Sequence, residues 1–247
     1  MPRYRLTIEY EGTAYFGWQA QAVLPSVQVA VERAILGLTG QTLRVQCAGR
    51  TDAGVHARAQ MAHFDLEKVW STDTIRDGLN AYLRRKDEHV AIISAEIMPE
   101  TFHARVSAKR RHYLYRIVNR RPPAPLEHAR AWHVTRELDA QAMHDAAQSL
   151  IGYHDFTTFR DSACQAKSPV KTLEAFSVQR VGEIVELRTC ARSFLHHQVR
   201  RMVGSLELVG AGKWNAEDLK AALEACDPKR SGMQAPAYGL YFMGVDY

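Results

Sequence analysis

The sequence predicts an α+β protein made of two units with antiparallel sheets. Two observations carry this. The order strand, helix, strand, strand, helix, strand runs through the first hundred residues and a similar alternation follows it, and no low-complexity linker separates the halves. Layering rules are satisfied by packing the helices of each unit on one face of its sheet. The 247 residues, 46% of them hydrophobic, suffice for two cores. The boundary is expected near residue 105, giving units 1–105 and 106–247 that share a cleft.

RYRLTIEY alternates and then meets Gly12, so it reads as the first strand. In SVQVAVERAILGLTG, Val27, Val31, Ala34, Ile35 and Leu38 recur at helical spacing, with Ser26 as N-cap and Gly40 as stop. LRVQCA and AQMAHFDL read as strands on either side of AGRTDAGVHA, which makes that stretch a loop presented by a sheet. A helix fits Thr72 to Leu83, and HVAIISAEIM resumes a strand. The second series is strand HYLYRIVN, helix DAQAMHDAAQSLIG, strands LEAFSVQRV and EIVELRTCA joined at Gly182, helix LHHQVRRMVGSLELVG and strand GLYFMGVDY.

Composition excludes several classes. No apolar run reaches the roughly 18 residues of a membrane span, and MPRYRLTIEY lacks a signal peptide's apolar segment, so a cytoplasmic protein away from membranes is expected. Cys47, Cys164, Cys190 and Cys226 form no Cys-x-x-Cys pair and read as reduced thiols. None of the 11 histidines has paired-ligand spacing, so no metal is expected. GAGKW imitates the tail of a phosphate loop, but Trp214 stands where Ser or Thr is required, and the segment reads as a helix end. Lys and Arg outnumber Asp and Glu by 32 to 27, which favours an anionic partner.

Within the loop, Arg50 and Asp52 are two apart, so in an extended backbone both face one way and the arginine would keep the carboxylate ionised. An ordinary Asx-turn ahead of Gly54 is the alternative. AKRRHYLYR sets Lys109, Arg110 and Arg111 before Tyr113 and Tyr115, which share a strand face; this is either charge plus a base-stacking ring or a solvated strand end with two core tyrosines. On the helix from Leu195, an apolar seam of Leu195, Val199, Met202, Leu206 and Val209 leaves His197, Arg200 and Arg201 opposite, either solvated or facing RNA.

GRTDAGVHA closely resembles the catalytic motif of the TruA family of tRNA pseudouridine synthases, and FHAR, AKRRHYLYR, GYHDFTTFR, SFLHHQVRRMVGSL and APAYGLYFMGVDY resemble that family's later blocks in the same order. The resemblance implies two ferredoxin- or RRM-like α/β domains whose antiparallel sheets meet at a basic catalytic cleft. It implies isomerisation of uridine to pseudouridine at positions 38 to 40 of the tRNA anticodon arm, without cofactor or metal, by a homodimer. It casts Asp52 as nucleophile, Arg50 as its ion-pair partner and Tyr113 as the residue contacting the target base. Position and charge add Arg58, Arg105, Lys109, Arg110, Arg111 and Arg200 as backbone contacts. Ala59 stands where many relatives have glycine, and SGMQ precedes the final APA.

The reaction moves uracil from N1 to C5 on C1′, so it needs no redox partner; it needs a carboxylate and walls that retain a detached base. Two other functions fit parts of the pattern. A non-catalytic RRM-like RNA-binding protein would use the basic and aromatic residues but gives Asp52 no task. A glycoside-type hydrolase would want a second carboxylate at defined separation, and the motif offers none nearby.

Overall fold

A computed structural model describes residues 1–247. The chain forms two compact units, Met1–Arg111 together with Tyr241–Tyr247, and His112–Leu240. The division therefore falls six residues beyond the expected one, and the last strand returns to the first unit.

The first unit opens with β1 (Arg3–Tyr10), then α1 (Val27–Thr39), β2 (Gln46–Cys47), β3 (His56–Asp65), α2 (Thr72–Arg85) and β4 (Val90–Met98). β1 pairs antiparallel with both β3 and β4. Its alternation puts Tyr4, Leu6, Ile8 and Tyr10 into the core, as the sequence pattern requires. Ser26 caps α1 by accepting from Val29 N–H, and Gly40 ends it in the left-handed region at φ 74°. α1 and α2 approach closely because Gly37 lies under the Tyr82 ring and Gly78 under Leu38, leaving no room for a Cβ at either place. On the opposite sheet face, Phe102, Ala48 and Ala104 form a small second core with Tyr247.

The second unit contains most of β5 (Arg110–Asn119), then β6 (Trp132–Val134), α3 (Ala140–Ala147), β7 (Gly152–Asp155), β8 (Val170–Val181), β9 (Ile184–Ala191), α4 (Gln198–Gly210) and α5 (Ala216–Glu224). Its strands run in the order β5-β9-β8-β7, with β6 parallel to β5. The β8–β9 hairpin turns at Gly182, φ 60°. β10 (Leu240–Asp246) closes the chain and pairs parallel with β3 through Tyr241 and Phe242, so the mainly antiparallel sheet carries parallel joins.

Three sequence expectations need correction here. The helix expected from Leu195 starts at Gln198, because His197 adopts the left-handed conformation at φ 62° and a helix cannot run through it. The side of α4 carrying Arg200 and Arg201 is not simply solvated. Residues 231–235 cross it, with Gly232 N–H donating to Ser205 Oγ at 2.8 Å and Arg200 Nε donating to the Ala235 carbonyl at 2.8 Å. Gly204 permits that crossing, since a Cβ there would overlap the Met233 carbonyl. The SGMQ segment ahead of the final APA is thus packed against α4. Last, β6, β7 and α5 were not drawn from the sequence, the first two because three- and four-residue strands carry too little alternation to read.

No helix is long and apolar enough to cross a membrane, and all four cysteines are free thiols.

Candidate active site

AGRTDAGV forms a loop between β2 and β3, as its flanking strands predict, His56 and Ala57 open β3, and the first unit braces the loop at several points. Gln60, fully buried, donates from Nε2 to the Gly49 carbonyl at 2.6 Å, and Ala48 N–H donates to the Met61 carbonyl at 2.7 Å. The Tyr10 hydroxyl and Thr51 Oγ1 share a hydrogen bond of 2.7 Å. Burial pushes the Tyr10 phenol far above its ordinary range, so it remains a neutral hydrogen-bonding group. Trp18 N–H donates to the Thr51 carbonyl at 3.0 Å, and Gly54 N–H to the Tyr15 carbonyl at 3.2 Å. Val55 N–H donates to the Asp52 carbonyl at 3.1 Å, closing a turn over Gly54, whose φ of 79° suits glycine. Gly17 lies so close to this loop that a Cβ would come within 2.5 Å of the Thr51 carbonyl oxygen.

These bonds hold the backbone of Asp52 from both sides while its side chain stays half-buried and reachable. Arg50 is exposed and forms no ion pair with Asp52. It lines a cavity of about 250 Å³ together with Arg105, Arg44, His103, Gln46 and Trp18. The expected pairing of Arg50 with Asp52 is therefore not made in this structure. Cys47, also on the cavity wall, has its thiol pushed up to about 12 by burial, although Arg105 and Arg50 pull the other way.

Arg111 corrects the reading of the basic cluster. Its side chain is buried, donating to the carbonyls of Ala48 at 2.9 and 3.2 Å, Arg105 at 2.7 Å and Ala108 at 3.4 Å. A guanidinium committed to three carbonyls is a structural clamp and is not available to phosphate. Lys109 and Arg110 remain exposed, Arg110 lying 3.9 Å from Asp246. Arg58 is exposed and paired with Glu9 at 3.1 Å. His63, buried beneath the same region, accepts from Ala104 N–H at 3.2 Å. Burial, with His103 and Arg3 nearby, lowers its pKa to about 4, so the ring is a neutral spacer at physiological pH.

In the second unit the two tyrosines separate in role. Tyr115 is fully buried and donates to the Pro236 carbonyl at 2.7 Å, which makes it core. Tyr113 is half-buried, its ring edge-on to Phe194 at 5.2 Å and 88°. Nothing local in SFLHH marks Phe194, and only the fold turns its ring toward Tyr113. Arg200 is half-buried, as its bond to Ala235 requires.

A braced loop presenting one carboxylate, in a mixed α/β chain, agrees with the comparisons to known proteins. A family profile described as tRNA pseudouridine synthase matches residues 6–105 and 146–247, and the chain belongs to that family, a class of isomerases. Among its relatives, a protein of Beijerinckia indica named tRNA pseudouridine synthase A is 60% identical over 247 residues, covering all of this chain and 94% of that protein. Proteins of the same name from Sinorhizobium fredii and Brucella ovis are each 57% identical over the whole chain, which spans 100% and 98% of their lengths.

Proposed function

We propose that this protein isomerises uridine to pseudouridine at positions 38 to 40 of the tRNA anticodon stem-loop, with Asp52 as the nucleophile. The observation that carries the proposal is the GRTDAGVHA loop, whose backbone is fixed by Tyr10, Thr51, Gln60 and the 15–18 segment while Asp52 stays accessible. Family membership and full-length relatives named tRNA pseudouridine synthase A support the substrate.

The carboxylate either adds to C1′, adds to C6 of uracil, or removes a sugar proton. In each route the N1–C1′ bond breaks, the base turns, C5 joins C1′, the C5 hydrogen leaves as a proton and N1 takes up a proton. All three need an ionised, well-aimed carboxylate, because a misplacement of about 1 Å costs on the order of 100-fold in rate. A stacked uridine must first leave its helix, at a cost of a few kcal/mol. Tyr113 offsets part of that cost by stacking on the base, a contact worth roughly 1–3 kcal/mol. Exposed Arg50, Arg58, Arg105, Lys109 and Arg110, with Arg200, supply backbone contacts. The working unit is a homodimer, since an L-shaped tRNA exceeds the reach of one small subunit.

Incubating unmodified tRNA with the protein tests the reading directly. Pseudouridine within positions 38 to 40 is the expected product. Free uracil would indicate a hydrolase, and unchanged tRNA that nevertheless binds would indicate an RNA-binding protein without catalysis.

A further inference from the structure

The cavity lined by Arg44, Arg50, Arg105, His103, Gln46 and Trp18 has no carboxylate on its wall. Elsewhere in the same unit arginines are neutralised at close range: Arg3 by Asp65 at 2.7 Å, Arg5 by Glu96 at 2.7 Å and Arg58 by Glu9 at 3.1 Å. Arg50 and Arg105 have no such partner, and Arg44 has only Glu32 at 3.4 Å. Two unpaired guanidiniums on one concave wall make a site for a group carrying negative charge and several acceptor oxygens.

The cavity is also built in advance. Gln28, 4% exposed, holds its floor by donating to Glu32 at 2.8 Å and accepting from Ala20 N–H at 3.0 Å. On the opposite side His103 Nδ1 accepts from the N–H groups of Arg105 and Val106, both at 3.2 Å, so Nε2 carries the proton and donates to Gln46 Oε1 at 2.7 Å. The Arg105 carbonyl is clamped by Arg111 at 2.7 Å. Both backbone groups of Arg105 are thus fixed while its side chain stays exposed. Such preorganisation spares a ligand the entropy of ordering the residue.

We propose that this cavity is a phosphate subsite, in which Arg50 and Arg105 grip one backbone phosphate of the RNA strand beside the target uridine. The inference rests on the function proposed above. Arg50 stands two residues before Asp52, so the phosphate held there belongs to a nucleotide near the reacting one. Its effect is to fix strand register at the catalytic loop, a task phosphate contacts perform without reading sequence.

A double-mutant cycle tests it. Anticodon stem-loop RNAs carrying a single uncharged methylphosphonate, one linkage at a time around the target uridine, are bound to protein made inert by Asp52→Asn. One linkage should weaken binding about tenfold, and Arg105→Gln should do the same with unmodified RNA. The two changes together should cost no more than either alone. Fully additive losses at every linkage, or no loss from Arg105→Gln, would overturn the subsite. Uridine 5′-monophosphate, uridine and inorganic phosphate are then titrated against the wild-type chain while the His103 imidazole resonance is followed. The monophosphate should shift it and uridine should not, with the shift lost in Arg105→Gln. A response to inorganic phosphate alone, or to none of the three, contradicts an RNA subsite. A wild-type protein that makes no pseudouridine would sink the functional reading, and the monophosphate titration would still decide the cavity.

Discussion

At the scale of single residues, the structure separates charges that look alike in the sequence. Lys109, Arg110 and Arg111 are consecutive, yet the first two are exposed and the third is a buried clamp on Ala48, Arg105 and Ala108. Strand alternation was the available signal, because neighbouring residues of a strand face opposite ways. Which face is covered depends on the packing of 99–108, and local sequence does not encode it. Arg111→Met should therefore lower stability by about 3 kcal/mol in urea unfolding, since it strands several buried carbonyls. Unchanged stability with weakened RNA binding would return Arg111 to the phosphate contacts. Tyr113 makes the opposite case. Half-buried beside Phe194, it should tolerate Tyr113→Phe with its stacking intact, whereas Tyr113→Ala should slow turnover by about tenfold or more. Equal, wild-type rates for both variants would show that the ring does not meet the base.

At the scale of elements, legibility tracked the strength of the local signal. α1 was readable with both caps, because Ser26 and Gly40 each have one clear task. α5 is equally encoded, by the reciprocal Asn215 and Asp218 capping box ahead of Leu219, Ala222 and Leu223. The start of α4 was hidden, since nothing in SFLHHQ announces a left-handed His197. The loop that carries Asp52 was legible by its flanking strands, but its bracing by Tyr10, Gly17 and Gln60 joins residues far apart in sequence. Gly17 is the sharpest test of that bracing. At φ 88° and in contact with the Thr51 carbonyl, Gly17→Ala must displace the loop, and we expect kcat to fall on the order of 100-fold with tRNA affinity nearly unchanged. Wild-type kcat in a folded Gly17→Ala protein would mean that the loop is not held there.

At the scale of the whole molecule, the repeated strand and helix order announced two units, but the boundary at residue 111 and the return of 241–247 to the first unit were not readable. A terminal strand's partner is a long-range choice, and GLYFMGVDY would satisfy any open sheet edge. The basic excess favours an anionic partner without saying how one chain would manage a tRNA. If a homodimer shares each tRNA, mixing Asp52→Ala subunits with subunits carrying Asp52 but neutralised on their outer basic surface should restore activity that neither homodimer has. No recovery, with mixed dimers verified by mass, would show that each subunit acts alone.

All of these expectations depend on one carboxylate. Asp52→Asn is nearly isosteric and leaves every backbone bond of the loop available, so it removes the proposed nucleophile and little else. The measurement is release of tritium from tRNA labelled at uridine C5, run beside tRNA affinity on the same preparations. Asp52→Asn should release none above background while binding tRNA within a few-fold of wild type. Substantial release by Asp52→Asn would contradict the assignment of Asp52 as the residue that makes pseudouridine.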